Sequence, residues 1–181
     1  MSQRGFNITE LMIVVAIVAI LLTIGIPSFR YITNSYRMSA EVNGLLGDLQ
    51  YARAEAIKEG QGVTVCISSD GVNCTGTTNW QNGWVIFSNP NSAANPPAGS
   101  ILRVQGAFTG ATPDTFVATN GVSLITYNRE GFATTTAGFL GTTIKLHDSS
   151  SNAAWTRCMW ITAVGLATTE TPSNNLSGDC S

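Results

Sequence analysis

The chain has 181 residues, only 11% of them charged, and a formal net charge of −2. With no run of Lys or Arg, that balance excludes an overall field that would attract a polyanion. Plentiful apolar residues and a small net charge exclude a disordered chain, and the Gly-, Ser-, Thr- and Asn-rich remainder suits an exported domain with many turns.

The chain opens with a short polar stretch bearing Arg4 and ending at Gly5, and Phe6 starts an apolar run. The 19 residues between Glu10 and Arg30 carry no charge. As a helix they span about 30 Å, the thickness of a bilayer's hydrocarbon core. Arg4 ahead of the run puts the N-terminus on the cytoplasmic side. A secretory signal peptide would have a shorter apolar core and a cleavage site after it. Here Ile26-Pro27-Ser28-Phe29 flows into a second helical pattern. A plain membrane anchor leaves Glu10 unexplained, because a carboxylate deep in lipid costs about 2.5–3.5 kcal/mol. Cleavage between Gly5 and Phe6 would create an α-amino group at Phe6, one helical turn from Glu10. In an assembling filament the Glu10 carboxylate of one subunit could then pair with the Phe6 ammonium of its neighbour.

Past Pro27, read as a kink, the helix resumes from Arg30 to about Glu59. Val42, Leu45, Leu46, Leu49, Ala52, Ala56 and Ile57 recur at helical spacing, while Arg37, Glu41, Asp48, Arg53, Glu55 and Lys58 fall mostly elsewhere. That half is amphipathic and should lie on a sheet. Gly60 and Gly62 supply the stop. Strands are predicted over Val63–Ser68, Trp84–Phe87, Ile101–Gln105, Val122–Asn128, Thr142–His147 and Arg157–Ala163. Asp70-Gly71 reads as a turn and 88–100 as an exposed loop. The tail from Thr168 shows no periodicity. The fold class is α+β: a long N-terminal helix, half membrane-spanning and half amphipathic, packed on an antiparallel β-sheet domain.

Cys66, Cys74, Cys158 and Cys180 form no CxxC, and no His lies near them in sequence, so zinc is not indicated. An even count in an exported domain reads as two disulfides. Three connectivities are open, with local pairing, Cys66–Cys74 and Cys158–Cys180, the expected one. His147 and Asp148 are adjacent on a strand and point to opposite faces, which rules them out as a base with its orienting carboxylate. No nucleophile motif accompanies them, so neither an enzyme nor a cofactor is expected. Trp80, Trp84, Trp155 and Trp160 could stack single-stranded bases, but without a basic groove they read as packing between helix and sheet.

The run Gly5-Phe6-Asn7-Ile8-Thr9-Glu10-Leu11-Met12-Ile13-Val14 resembles the prepilin motif of type IV pilins and type II secretion pseudopilins. Gln50-Tyr51-Ala52-Arg53-Ala54-Glu55-Ala56-Ile57, Val63-Thr64-Val65-Cys66 and Gly83-Trp84-Val85-Ile86-Phe87 resemble the GspH/FimT branch of minor pilins and pseudopilins. The resemblance implies a leader over 1–5, a membrane and filament-core helix over 6–29 and a periplasmic domain over 30–181. It also implies cutting after Gly5 by a prepilin peptidase, N-methylation of Phe6, and Glu10 as the assembly glutamate. The implied partners are major and minor pilin subunits, the peptidase and the bacterial inner membrane, before incorporation into a pilus or pseudopilus. Some members of the branch bind DNA through a Gly-Arg-x-Arg motif. The matching position here reads Gly165-Leu166-Ala167-Thr168, with both arginines missing. Arg103, Arg129, Lys145 and Arg157 remain as candidate DNA contacts, and DNA is a disfavoured partner.

Overall fold

A computed structural model of the chain describes residues 7–109, 114–135 and 141–180. One long helix, α1 (Ile8–Glu59), precedes β1 (Val63–Ile67), β2 (Trp84–Ser88), β3 (Ile101–Gln105), β4 (Thr115–Ala118), β5 (Leu124–Tyr127), β6 (Ala133–Thr135), β7 (Thr142–His147), β8 (Arg157–Ile161) and β9 (Ala167–Glu170). The chain divides into two compact units, separated in sequence between Arg37 and Met38.

In the first unit α1 starts at Asn7, whose carbonyl accepts the N–H groups of Glu10 at 3.0 Å and Leu11 at 3.1 Å. The helix runs without interruption through Pro27. Thr23 and Thr33 return their hydroxyls to the carbonyls of Ile20 and Phe29, at 2.7 and 2.8 Å. Their hydroxyls are thereby satisfied inside an apolar helix.

In the second unit the C-terminal half of α1 buries Met38, Val42, Leu45, Leu49, Ala52 and Ala56. Spaced three and four apart, these residues form one stripe. The stripe packs in a single core with residues from two antiparallel sheets. One sheet has strand order β3-β2-β1-β5-β6 and contributes Val63, Val65, Ile67, Trp84, Ile86, Ile125 and Tyr127. The other has order β4-β7-β8-β9 and contributes Phe116, Ala118, Ile144, Leu146, Met159 and Ile161. The expected antiparallel β-domain is therefore two sheets. The helix stops at Gly60, which has φ +68°, and Gln61 N–H reaches back to the Ala56 carbonyl at 3.3 Å. That backbone closure needs the left-handed residue glycine supplies.

The six predicted strands all form: β3 and β7 over the predicted residues, β1, β5 and β8 shorter, and β2 longer by Ser88. β4, β6 and β9 lie outside the predicted strands; each is a three- or four-residue element paired to a neighbouring strand. β9 lies within the tail read as aperiodic. β1 is buried at all five positions because both faces of its sheet are covered. Its outer face joins a small cluster of Cys66, Val85 and Phe87, backed by Cys74, Ile101 and Leu124. The disulfides are Cys66–Cys74 and Cys158–Cys180, so the local pairing is the one formed. The second disulfide ties the tail to β8. Glu170, 3% exposed, accepts the Ser177 N–H at 3.2 Å and the Ser177 hydroxyl at 2.8 Å.

Candidate assembly surface

The functional surface begins with side chains that have nothing to pack on. From Ile8 to Ile26, thirteen large apolar residues are 45% or more exposed. They face every direction around the helix axis, so no single groove could cover them. Burying a side chain of this kind is worth roughly 1.5–3 kcal/mol. Thirteen left in water would forfeit on the order of 20 kcal/mol, more than the typical net stability of a whole domain. The segment therefore requires lipid or other helices around it. Ala16 and Ala19 leave a notch beside Leu11, Met12 and Val15, shaped for a neighbouring helix's side chain. Glu10 sits in the first helical turn and is exposed, where a carboxylate suits the positive end of the helix dipole. Gly5 and Phe6 lie outside the described residues.

Asp48 and Arg53 hold elements of the domain together. Asp48, 6% exposed, interrupts the apolar stripe of α1 between Leu45 and Leu49. Its carboxylate accepts the Trp84 indole N–H at 2.8 Å and pairs with Arg103 at 2.5 Å. Arg103 in turn lies 4.8 Å over the Tyr51 ring. This network links α1 to β2 and β3. Helical spacing alone assigned Asp48 to the polar face. The available signal was its position three residues after Leu45 and four before Ala52, inside the buried stripe.

Arg53, also assigned by spacing to the polar face, spans the two sheets. Its Nε donates to the Gly131 carbonyl at 3.0 Å and its Nη2 to the Val164 carbonyl at 3.2 Å. Gly131 lies in the β5–β6 turn and Val164 in the β8–β9 turn. Gly165, at φ +78°, passes so close that an added Cβ would meet the Gly131 carbonyl oxygen. The stretch Gly165-Leu166-Ala167-Thr168 thus forms the β8–β9 turn and the start of β9. Leu166 is 53% exposed there, beside Ile57 on α1.

The four candidate DNA contacts are not gathered into one patch. Arg103 is on edge strand β3, and Arg129 follows β5 near the other edge of that sheet, ion-paired to Glu130 at 2.7 Å. Lys145 and Arg157 belong to the second sheet. Lys145 is paired in register with Cys158, and Leu146 with Arg157, so the two cations point to opposite faces. Arg157 donates to the carbonyls of Ala154 and Thr156 at 3.2 and 2.9 Å.

Trp80 and Trp84 are fully buried, with ring centroids 6.4 Å apart. Trp155 packs against the core from its edge. The His147 ring meets the Thr156 hydroxyl at 3.1 Å, and partial burial, followed by Lys145, pushes its pKa down. Asp148 instead organises the following turn, accepting from the Ser150 hydroxyl at 2.7 Å and the Asn152 N–H at 3.1 Å.

Three solved structures are similar to this chain. Two crystal forms of the type IV minor pilin FimU from Pseudomonas aeruginosa match with TM-scores of 0.58 and 0.55 at 22% and 21% identity. They cover 76% and 75% of this chain and 91% and 94% of theirs. The minor pseudopilin EpsH of the Vibrio cholerae type 2 secretion system matches at 11% identity and TM-score 0.48, over 74% of this chain and 96% of its own. No curated protein matches the chain. Residues 41–165 match the family described as Type II transport protein GspH. With that match running from the buried stripe of α1 to the β8–β9 turn, the chain belongs to the GspH family and has a pilin-like fold.

Proposed function

We propose that this chain is a minor pilin or pseudopilin, a structural subunit that joins a type IV pilus or a type II secretion filament through its first helix. The observation that carries the reading is a GspH-family domain on the same chain as a helix apolar on every side. Before assembly, residues 6–29 hold the subunit in the inner membrane, with residues 30–181 in the periplasm. A prepilin peptidase removes residues 1–5 and methylates Phe6. On assembly, neighbouring helices replace lipid, and Glu10 pairs with the Phe6 ammonium of another subunit. That pairing neutralises both charges in a low-dielectric bundle. The domain contacts other pilin subunits, and no chemistry on a substrate is assigned to it.

Glu10→Val tests the reading. N-terminal sequencing should still find the chain beginning at Phe6, while its recovery in sheared filaments falls. Unchanged recovery would refute the pairing. Substituting Gly5 should leave an uncut precursor in the membrane fraction. The four candidate cations are spread over both sheets, and gel shifts of the detergent-solubilised chain at two salt concentrations should show no salt-sensitive complex.

A further inference from the structure

The apolar surface of α1 does not end where a membrane core would. Beyond Ile26, Phe29 is 71% exposed, Ile32 47% and Tyr36 74%. At helical spacing these three fall within one narrow stripe. The rest of these two turns differs from the segment before it. Ser28, Asn34, Ser35 and the 51% exposed Tyr31 occupy other directions, and exposed Arg30 and Arg37, seven residues apart, run alongside the stripe. The helix thus changes from apolar all round to one apolar stripe among polar and aromatic neighbours, with tyrosines and arginines added.

Length decides what the stripe meets. Ile8 to Ile26 rises about 27 Å, close to a hydrocarbon core, and Ile8 to Tyr36 about 42 Å, close to a bilayer with its headgroups. Aromatic rings with a polar edge favour the headgroup layer, and arginines there reach lipid phosphates.

We propose that Phe29, Ile32 and Tyr36 form an interfacial anchor, lying in the headgroup layer on the far side of the bilayer from the N-terminus, with Arg30 on lipid phosphates. This rests on the membrane-anchored reading above. The anchor fixes the depth of the helix and holds Pro27 at the boundary between hydrocarbon and headgroups. A subunit leaving the membrane must extract this stripe as well as the apolar run.

The test uses the full chain in vesicles of phosphatidylethanolamine and phosphatidylglycerol. All four native cysteines are in disulfides, so one introduced cysteine carries one spin label. Val18→Cys reports the core, and Thr33→Cys reports the position beside the stripe without removing it. Accessibility to oxygen, which enters lipid, is compared with accessibility to a water-soluble nickel chelate. The expected result is a lipid-like ratio at Val18 and an intermediate ratio at Thr33. Adding Phe29→Ser and Tyr36→Ser should shift Thr33 to the ratio of water. A water-like Thr33 with intact aromatics and a lipid-like Val18 would overturn the anchor while leaving the membrane-spanning segment in place. So would a Thr33 label shielded from both reagents, since that means another helix covers it. A water-like Val18 would remove the membrane reading and the anchor together.

Discussion

The two halves of α1 use the same residue types to opposite ends. Ile17, Leu21 and Leu22 are 52%, 63% and 53% exposed, whereas Leu45 and Leu49 are completely buried. Leu and Ile are equally apolar in both places. The difference lies in what separates them. Between Glu10 and Arg30 apolar residues fill every direction, so no one-sided core can accept them. Between Met38 and Ala56 they recur at three and four residues, and a single surface can cover the stripe. Burial in this chain is decided by periodicity and by what the rest of the chain supplies, and residue type alone does not predict it.

The largest test of that contrast is a pair of truncations in the detergent-solubilised chain. Leu49→Ala should destabilise the domain by about 2–5 kcal/mol in denaturant unfolding followed by near-ultraviolet circular dichroism. Ile17→Ala should leave that transition where it is. Equal effects would mean the first segment packs on the domain. Next in size is the tail disulfide, which closes 22 residues; Cys158→Ser with Cys180→Ser should cost about 3 kcal/mol in the same measurement. Asp48→Ala should cost about 2 kcal/mol, mostly from the buried Trp84 N–H left without an acceptor, because half-exposed Arg103 can return to water. A neutral outcome would show the Asp48 network to be incidental to the join between α1 and the sheet.

Gly44 and Gly47 sharpen the contrast in the other direction. Both sit on the exposed side of the buried half of α1, and an added Cβ at either meets nothing within 4 Å. Gly44→Ala and Gly47→Ala should each stabilise the domain by about 1 kcal/mol. The smallest effect is at Asp70 in the Cys66–Cys74 loop. The Asn73 N–H and side-chain amide, then Val72 N–H and the Ser68 hydroxyl, hold its carboxyl well below the ordinary 3.8. A depressed folded pKa means the loop is fully supported above that ordinary value and loses support progressively from there down through the lower folded pKa. Hydrogen exchange at Val72 and Asn73, corrected for its intrinsic pH dependence, should therefore lose protection below about pH 4. Asp70→Asn should abolish that acid-dependent step.

The elements that depend on local pattern were legible in advance. A charge-free run of bilayer length, the stripe from Val42 to Ala56, the glycine stop at Gly60 and the six predicted strands follow from spacing and turn chemistry. The pairing of neighbouring cysteines was the expected one of three open connectivities, because short loops close most readily. Division into two sheets was not legible. Nor were β4, β6 and β9, whose few residues become strands only beside a partner. The roles of Asp48 and Arg53 were hidden for the same reason: helical spacing assigns a direction, but Trp84, Arg103, Gly131 and Val164 lie 36 to 111 residues away along the chain. Sequence by itself therefore determined where the helix runs and that its first half needs an apolar environment, since both are properties of contiguous residues. Tertiary structure alone decided which charges are consumed in holding the sheets together, because such pairings exist only once distant segments have met.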